Sequence, residues 1–296
     1  MRMRASSSLI ISAILLSTNA LAAQQSAILL IDGQNNHDWR HTTPLLQKIL
    51  EDTGLFRVDV LTTPPKGADF SGFHPDFAKY KAVVSNYNDF GGGTVWPADV
   101  RAAFENYVSG GGGFVSYHAA DNAFADWPAY NLMTGIGGWE GRNEKSGPFW
   151  YFRDGKLVSD DTPGPAGNHG ARQPFQVVMR DRTHPIAKGL PEVWMHASDE
   201  LYSRMRGPGE NMTVLATSFS DPQNKGTGHD EPMLMVLRYG KGRVFHTTLG
   251  HDEEAIRGVG FIVTFARGVE WAATGKVTQK VPPDFPTADR VSSRNP

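Results

Sequence analysis

Gly110-Gly-Gly-Gly-Phe-Val-Ser-Tyr-His118-Ala-Ala-Asp-Asn122 is the stretch whose reading decides the fold. Just upstream, Pro97-Ala-Asp-Val-Arg-Ala-Ala-Phe-Glu-Asn-Tyr-Val108 sets Val100, Phe104, Tyr107 and Val108 at helical spacing. This predicts a helix that opens at Pro97 and ends at Gly110, the expected left-handed residue. Phe114 to Tyr117 is then short, β-branched or aromatic, and free of polar alternation. A segment of that kind reads as an interior parallel strand covered on both faces. Ligands of an open parallel sheet lie beyond the carboxyl ends of its strands, so His118 is expected at a binding rim.

Earlier segments repeat the pattern. Ser26 to Ile31 is an apolar strand that runs into Asp32-Gly33 and the polar loop Gln34-Asn-Asn-His37-Asp-Trp39. Thr43-Pro44 is expected to cap a helix with Leu45, Leu46, Ile49 and Leu50 on one face. Phe56 to Leu61 and Tyr80 to Ser85 read as further strands, the latter breaking into Asn86-Tyr-Asn88-Asp89. Strand–helix alternation predicts an α/β fold with a doubly wound, mostly parallel sheet. The loops 32–39, 86–93 and 118–122 then share one rim of that sheet.

From Phe124 to about Gly170 periodicity is lost among glycines, prolines and Trp127, Trp139 and Trp150. Long irregular excursions of this kind are usually functional loops. Phe175–Met179 and Val214–Thr217 read as strands. Pro232–Arg238 and Gly242–Thr248 flank Tyr239-Gly-Lys-Gly242 as a hairpin that runs into Leu249-Gly250-His251-Asp252. A last helix is expected over Ile256–Thr274, followed by a proline-rich, loose tail at 276–296.

The chain of 296 residues is 40% hydrophobic and 20% charged with a net charge of -2, which is ordinary for a globular protein with a real core. It carries no basic stripe of the kind nucleic acid needs. There is no cysteine, which excludes a thiol nucleophile and a thiolate metal site. Met1-Arg-Met-Arg4, the apolar run Leu9–Leu16 and Ala20-Leu-Ala22-Ala23 together read as a signal peptide over 1–23, cleaved near Ala22 or Ala23. Its apolar run is too short to span a bilayer. The expectation is one α/β domain over 24–275 in a periplasmic or secreted protein, with no membrane span once the signal is removed.

His37, His118 and His251 all fall at strand-to-loop junctions, and Glu200 lies beside Asp199 in a polar stretch. Two imidazoles and a carboxylate with an open position make a common site for a divalent metal, zinc or similar. His118, Glu200 and His251 are the expected ligands, with His37 as base or fourth ligand. Asp32, Asn35, Asn86, Asn88 and Asp121 on the rim loops, with Trp139 and His169 in the excursion, are expected to contact substrate. His41, His74 and His184 read as surface or turn residues, and His246 as facing a neighbouring strand. The glycine runs at 91–93 and 110–113 match neither a P-loop nor a dinucleotide fingerprint. Ser116 lies in no Gly-x-Ser-x-Gly elbow.

Several stretches together resemble the ThuA-like (trehalose utilisation) family. They are Ile31-Asp-Gly-Gln-Asn-Asn-His-Asp-Trp39, Tyr117-His-Ala-Ala120, His184-Pro-Ile with Gly189-Leu-Pro191, Asp199-Glu-Leu-Tyr202, and Tyr239-Gly-Lys-Gly-Arg-Val-Phe245 with Leu249-Gly-His-Asp252. The resemblance implies a flavodoxin-like sandwich similar to class I glutamine amidotransferases. His118 then falls about where those enzymes place a cysteine nucleophile, so glutamine hydrolysis is excluded here. It also implies a role in carbohydrate catabolism on 3-keto-glycosides made by a partner oxidoreductase, a sugar 3-dehydrogenase. The chemistry expected is metal-assisted proton abstraction followed by elimination or hydrolysis. Two alternatives stand beside it: a conventional glycoside hydrolase using Asp199, Glu200 and Asp121, and a non-catalytic sugar-binding protein.

Overall fold

The apolar runs become the interior of a single sheet in the computed structural model, which describes residues 25–296. The leader read at 1–23 lies outside the described residues. The first half of the chain alternates as expected: β1 (Ser26–Asp32), α1 (Trp39–Glu51), β2 (Phe56–Thr62), β3 (Ala82–Ser85), α2 (Ala98–Ser109) and β4 (Gly113–Tyr117). After it come α3 (Pro128–Thr134), the strands β5 (Phe149–Arg153), β6 (Lys156–Asp160), β7 (Gln173–Met179), β8 (Val193–Asp199), β9 (Met212–Phe219), β10 (Asp230–Tyr239) and β11 (Gly242–Thr247), and the helices α4 (Glu253–Ile256) and α5 (Val259–Thr274).

The sheet runs β2-β1-β3-β4-β11-β10-β9-β7-β8, with the β5–β6 hairpin attached to β10. Pairing is parallel from β2 through β11 and antiparallel beyond. Alternate residues of the parallel strands feed two cores. Ile28, Leu30, Val84 and Val115 pack with α1 and α5, whereas Leu29, Ile31, Val83 and Phe114 pack with α2 and α3. Burial on both faces is why these strands read as continuous apolar runs.

Local details differ from the sequence reading. α1 begins at Trp39 and holds Pro44 inside it. The first turn is already closed by Thr42 N–H donating to Asp38 O, and Pro44 lies on the exposed side, so the helix loses one ladder bond rather than breaking. Gly110 stays right-handed at φ -73°, and Gly111 takes the positive φ of 122°. The excursion is less irregular than expected, because it contains α3 and the β5–β6 hairpin.

The segment 276–296, expected to be loose, is tied down. Glu270 accepts hydrogen bonds from Thr278 and Gln279, and Val281 and Phe285 pack on the core. Met195 N–H donates to Thr287 O at 2.8 Å, which occupies the outer edge of β8. Proline-rich chain forms no internal ladder, so its backbone groups are free to pair with a neighbouring element.

Candidate metal centre and active site

β4 ends in a sharp elbow. His118 has φ 44° and starts a tight 3-10 turn through Asn122. A non-glycine residue held there costs on the order of 1–2 kcal/mol, so surrounding contacts must enforce it. His118 Nδ1 lies 2.6 Å from Thr248 O, and the whole turn is buried. A carbonyl can only accept, so Nδ1 carries the proton and Nε2 keeps its lone pair. That Nε2 is buried without a hydrogen-bond partner among the described residues.

Three further side chains meet it. His37 leaves the end of β1, where Asn35 Oδ1 accepts its backbone N–H at 2.9 Å and Tyr202 Oη lies 3.1 Å from its Nε2. His251 follows β11, and Glu200 follows β8. The ring centres of His37 lie 4.8 Å from His118 and 4.6 Å from His251. One ligating atom from each of His37, His118, Glu200 and His251 falls within 4.8 Å of the others. Glu200 Oε2 stands 3.0 Å from His251 Nδ1, yet that nitrogen has no aligned hydrogen bond.

The electrostatics favour Lewis-base ligands. Burial, then the neighbouring His118 and His251, lowers the pKa of His37 to about 2, and burial lowers that of His118. Both rings are therefore neutral at physiological pH. Burial opposes ionisation of Glu200, but the adjacent His251 outweighs it and holds its pKa below the usual carboxylate range. Three imidazole nitrogens and one carboxylate oxygen suit zinc or a similar divalent ion, and the orphaned Nε2 of His118 supplies a ready donor.

Other residues expected at the site are placed differently. Asn35 donates to Asn86, Asn86 donates to Thr42 and Thr43, and Asn88 donates to Asn36 and Ala119 O. Asp32 is buried, and burial raises its pKa. Asp121 is fully buried against His246, whose Nε2 is 3.1 Å from its Oδ2. Asn35, Asn86, Asn88 and Asp121 are tied to neighbouring segments and do not line the cleft, whereas Asp32 and Asp121 each keep Oδ1 buried and, among the described residues, unpaired. Trp139 and His169 do flank the cluster. The Trp139 ring lies 4.7 Å from that of Tyr202, and His169 Nδ1 lies 3.7 Å from Glu200 Oε1 with 37% of its side chain exposed.

A cleft of about 450 Å³, bordered by Asn36, Asp38, His41 and Glu253, opens onto His37 and His251. That volume suits a small ligand. Tyr202 was not singled out from the sequence. Its ring packs on His118 at 4.4 Å, and its hydroxyl meets His37. The signal was there: in extended chain, residues two apart point the same way, so Glu200 and Tyr202 were candidates to act together.

Comparison with known proteins matches residues 27–272 to a family described as trehalose utilisation, ThuA. Among solved structures, a ThuA-like protein from Parabacteroides merdae is 50% identical, with 92% of this chain and 98% of that chain covered and a TM-score of 0.89. A ThuA-like protein from Bacteroides uniformis, at 20% identity, covers 88% of this chain and 98% of its own with a TM-score of 0.58, a likeness of fold alone. No functionally curated protein matches the chain.

Proposed function

The chain belongs to the ThuA, or trehalose utilisation, family, and from that premise we propose that it cleaves glycosides whose sugar has been oxidised at C3. The observation that carries this reading is the convergence of His37, His118, Glu200 and His251 from four separate segments, with the Nε2 of His118 buried and unpaired. These four would hold a divalent ion. When bound, such an ion supplies Lewis-acid stabilisation of negative charge developing on the C3 carbonyl oxygen.

The chain's own groups would do the rest. With its basicity depressed, His37 serves as a neutral nitrogen donor rather than as the proton acceptor. Glu200 turns Oε2 toward His251 and Oε1 toward His169, and Oε1 is assigned to take the proton from C2. The C2–H electron pair forms the C1–C2 double bond as the C1–O bond breaks. The departing oxygen takes up a proton, and addition of water to the unsaturated sugar completes hydrolysis. Tyr202 is buried behind the cluster, and Trp139, packed on it and partly exposed, would offer the sugar an aromatic surface.

A conventional two-carboxylate hydrolase is less well supported, because Asp121 and Asp199 are both fully buried and already paired. The substrate would come from an oxidoreductase of the sugar 3-dehydrogenase type. The leader read at 1–23 would place the reaction in the periplasm or outside the cell.

The test incubates purified protein with a 3-keto-disaccharide and with the plain disaccharide, before and after chelation and divalent add-back. Cleavage of the keto sugar alone, lost in chelator and restored by metal, is expected. Glu200→Gln should lower kcat by roughly 100-fold or more. Equal turnover in chelator removes the metal role, cleavage of plain disaccharide supports the conventional hydrolase, and sugar-induced stabilisation without product supports a binding protein.

A further inference from the structure

Asp199 immediately precedes Glu200, yet its side chain has no exposed surface and never faces the cleft. Its Oδ1 accepts the backbone N–H of Glu200 at 2.8 Å and of His251 at 3.0 Å. Its Oδ2 accepts the N–H of Gly250 at 2.7 Å and the Nε2–H of His196 at 2.7 Å. A carboxylate offers about four lone-pair directions, so Asp199 is saturated. Two of its donors are the amides of residues whose side chains belong to the cluster.

The segments it joins are 51 residues apart in the chain and belong to different halves of the sheet. His196 is buried, and its Nδ1 has no partner among the described residues, so there the bond to Asp199 is the ring's only hydrogen bond. An imidazole inside an apolar environment, between Phe175 and Trp194, has no packing reason to be polar. Its evident task is to hold Oδ2 in place while Oδ1 sets the two amides.

We propose that Asp199 is a positioning residue, held by His196, that fixes the spacing of Glu200 and His251 and thereby sets the affinity of the cluster for a divalent cation. This rests on the metal reading given above. Partners of this kind, one step behind the ligands, are worth about 10–100-fold in metal affinity elsewhere.

The test uses the full chain, stripped with chelator and titrated with Co²⁺, followed by calorimetry and by the visible spectrum that reports coordination geometry. His196→Leu and Asp199→Asn should lose about 10–100-fold in Co²⁺ affinity and change the spectrum. His196→Gln, whose amide nitrogen reaches the same carboxylate oxygen, should recover most of the loss. The metal-free thermal midpoint of His196→Leu should stay near that of the wild type, which separates positioning from simple destabilisation. Wild-type affinity and spectrum in His196→Leu would overturn the proposal. Failure of the wild type to take up Co²⁺ instead removes the metal reading. The clamp is then decided by a crystal structure of His196→Leu: a changed spacing between Glu200 and His251 supports it, and an unchanged one overturns it.

Discussion

Glu231 stands at the start of β10 with no exposed surface, and burial pushes its pKa up to about 8, against the opposing effect of Thr227 and the Arg204 N–H. The folded state therefore keeps a proton that the unfolded chain gives up near the ordinary carboxylate value of 4.5. Between those two values the unfolded state gains by ionising, so stability falls as pH rises and stops falling above about 8. The unfolding free energy from denaturation curves should decline across this window by up to about 1.4 kcal/mol per pH unit from this group. In Glu231→Gln the decline should flatten, and parallel curves for both proteins would count against a buried, protonated carboxyl. At this scale the sequence showed the histidines well, because His37, His118 and His251 each sit where an apolar run stops. It showed less of what the polar loop residues do. Asn86 and Asn88 read as ligand contacts, since nothing in a linear chain distinguishes an amide facing a cleft from one facing the next loop. His196 stayed hidden inside a strand for the same reason.

α5 is buried along nearly its whole length and carries Gly260 and Gly268 on its packed surface. A methyl group on Gly268 would lie 2.1 Å from the ring of Phe245, and one on Gly260 2.2 Å from that of Trp194. Alanine in an exposed helix gains up to about 1 kcal/mol over glycine, but here overpacking decides the sign. Gly268→Ala should destabilise the fold by roughly 1–3 kcal/mol. Calorimetry should show a lower midpoint, and a higher one would mean that the helix can lift off the sheet at little cost. Element boundaries were legible where the code is local, as at the end of α5, where Gly275 is left-handed at φ 76°. The β5–β6 hairpin was also written locally. Asp154-Gly155, at φ 51° and 72°, forms its turn, and Asp-Gly is a strong hairpin signal. It escaped notice because the surrounding glycines and tryptophans blur the alternation of Phe149–Arg153. β8 escaped because it alternates unevenly, with Ala197 buried directly beside His196.

Over the whole molecule, the shared rim of the parallel half was legible because strand order and crossover handedness allow few arrangements. The arrival of Glu200 there was not. β8 lies four strands beyond β11, and its end reaches His251 only because α5 touches β3, β4 and β11 and also touches β8. A curl of that sort depends on side-chain volumes at many distant positions and leaves no trace in any one segment. The margin of β8 farthest from its neighbours is roofed by the main chain at Thr287, with Phe285 seated 5.7 Å from the Trp194 ring. Whatever steadies Glu200 from within should therefore slow local opening of the segment around Thr287. Arg290 and Arg294 are exposed there, and they turn that segment into a remote gauge of occupancy. Trypsin should cut after them more slowly in zinc than in chelator, while identical time courses would mean that the two ends of this strand do not communicate.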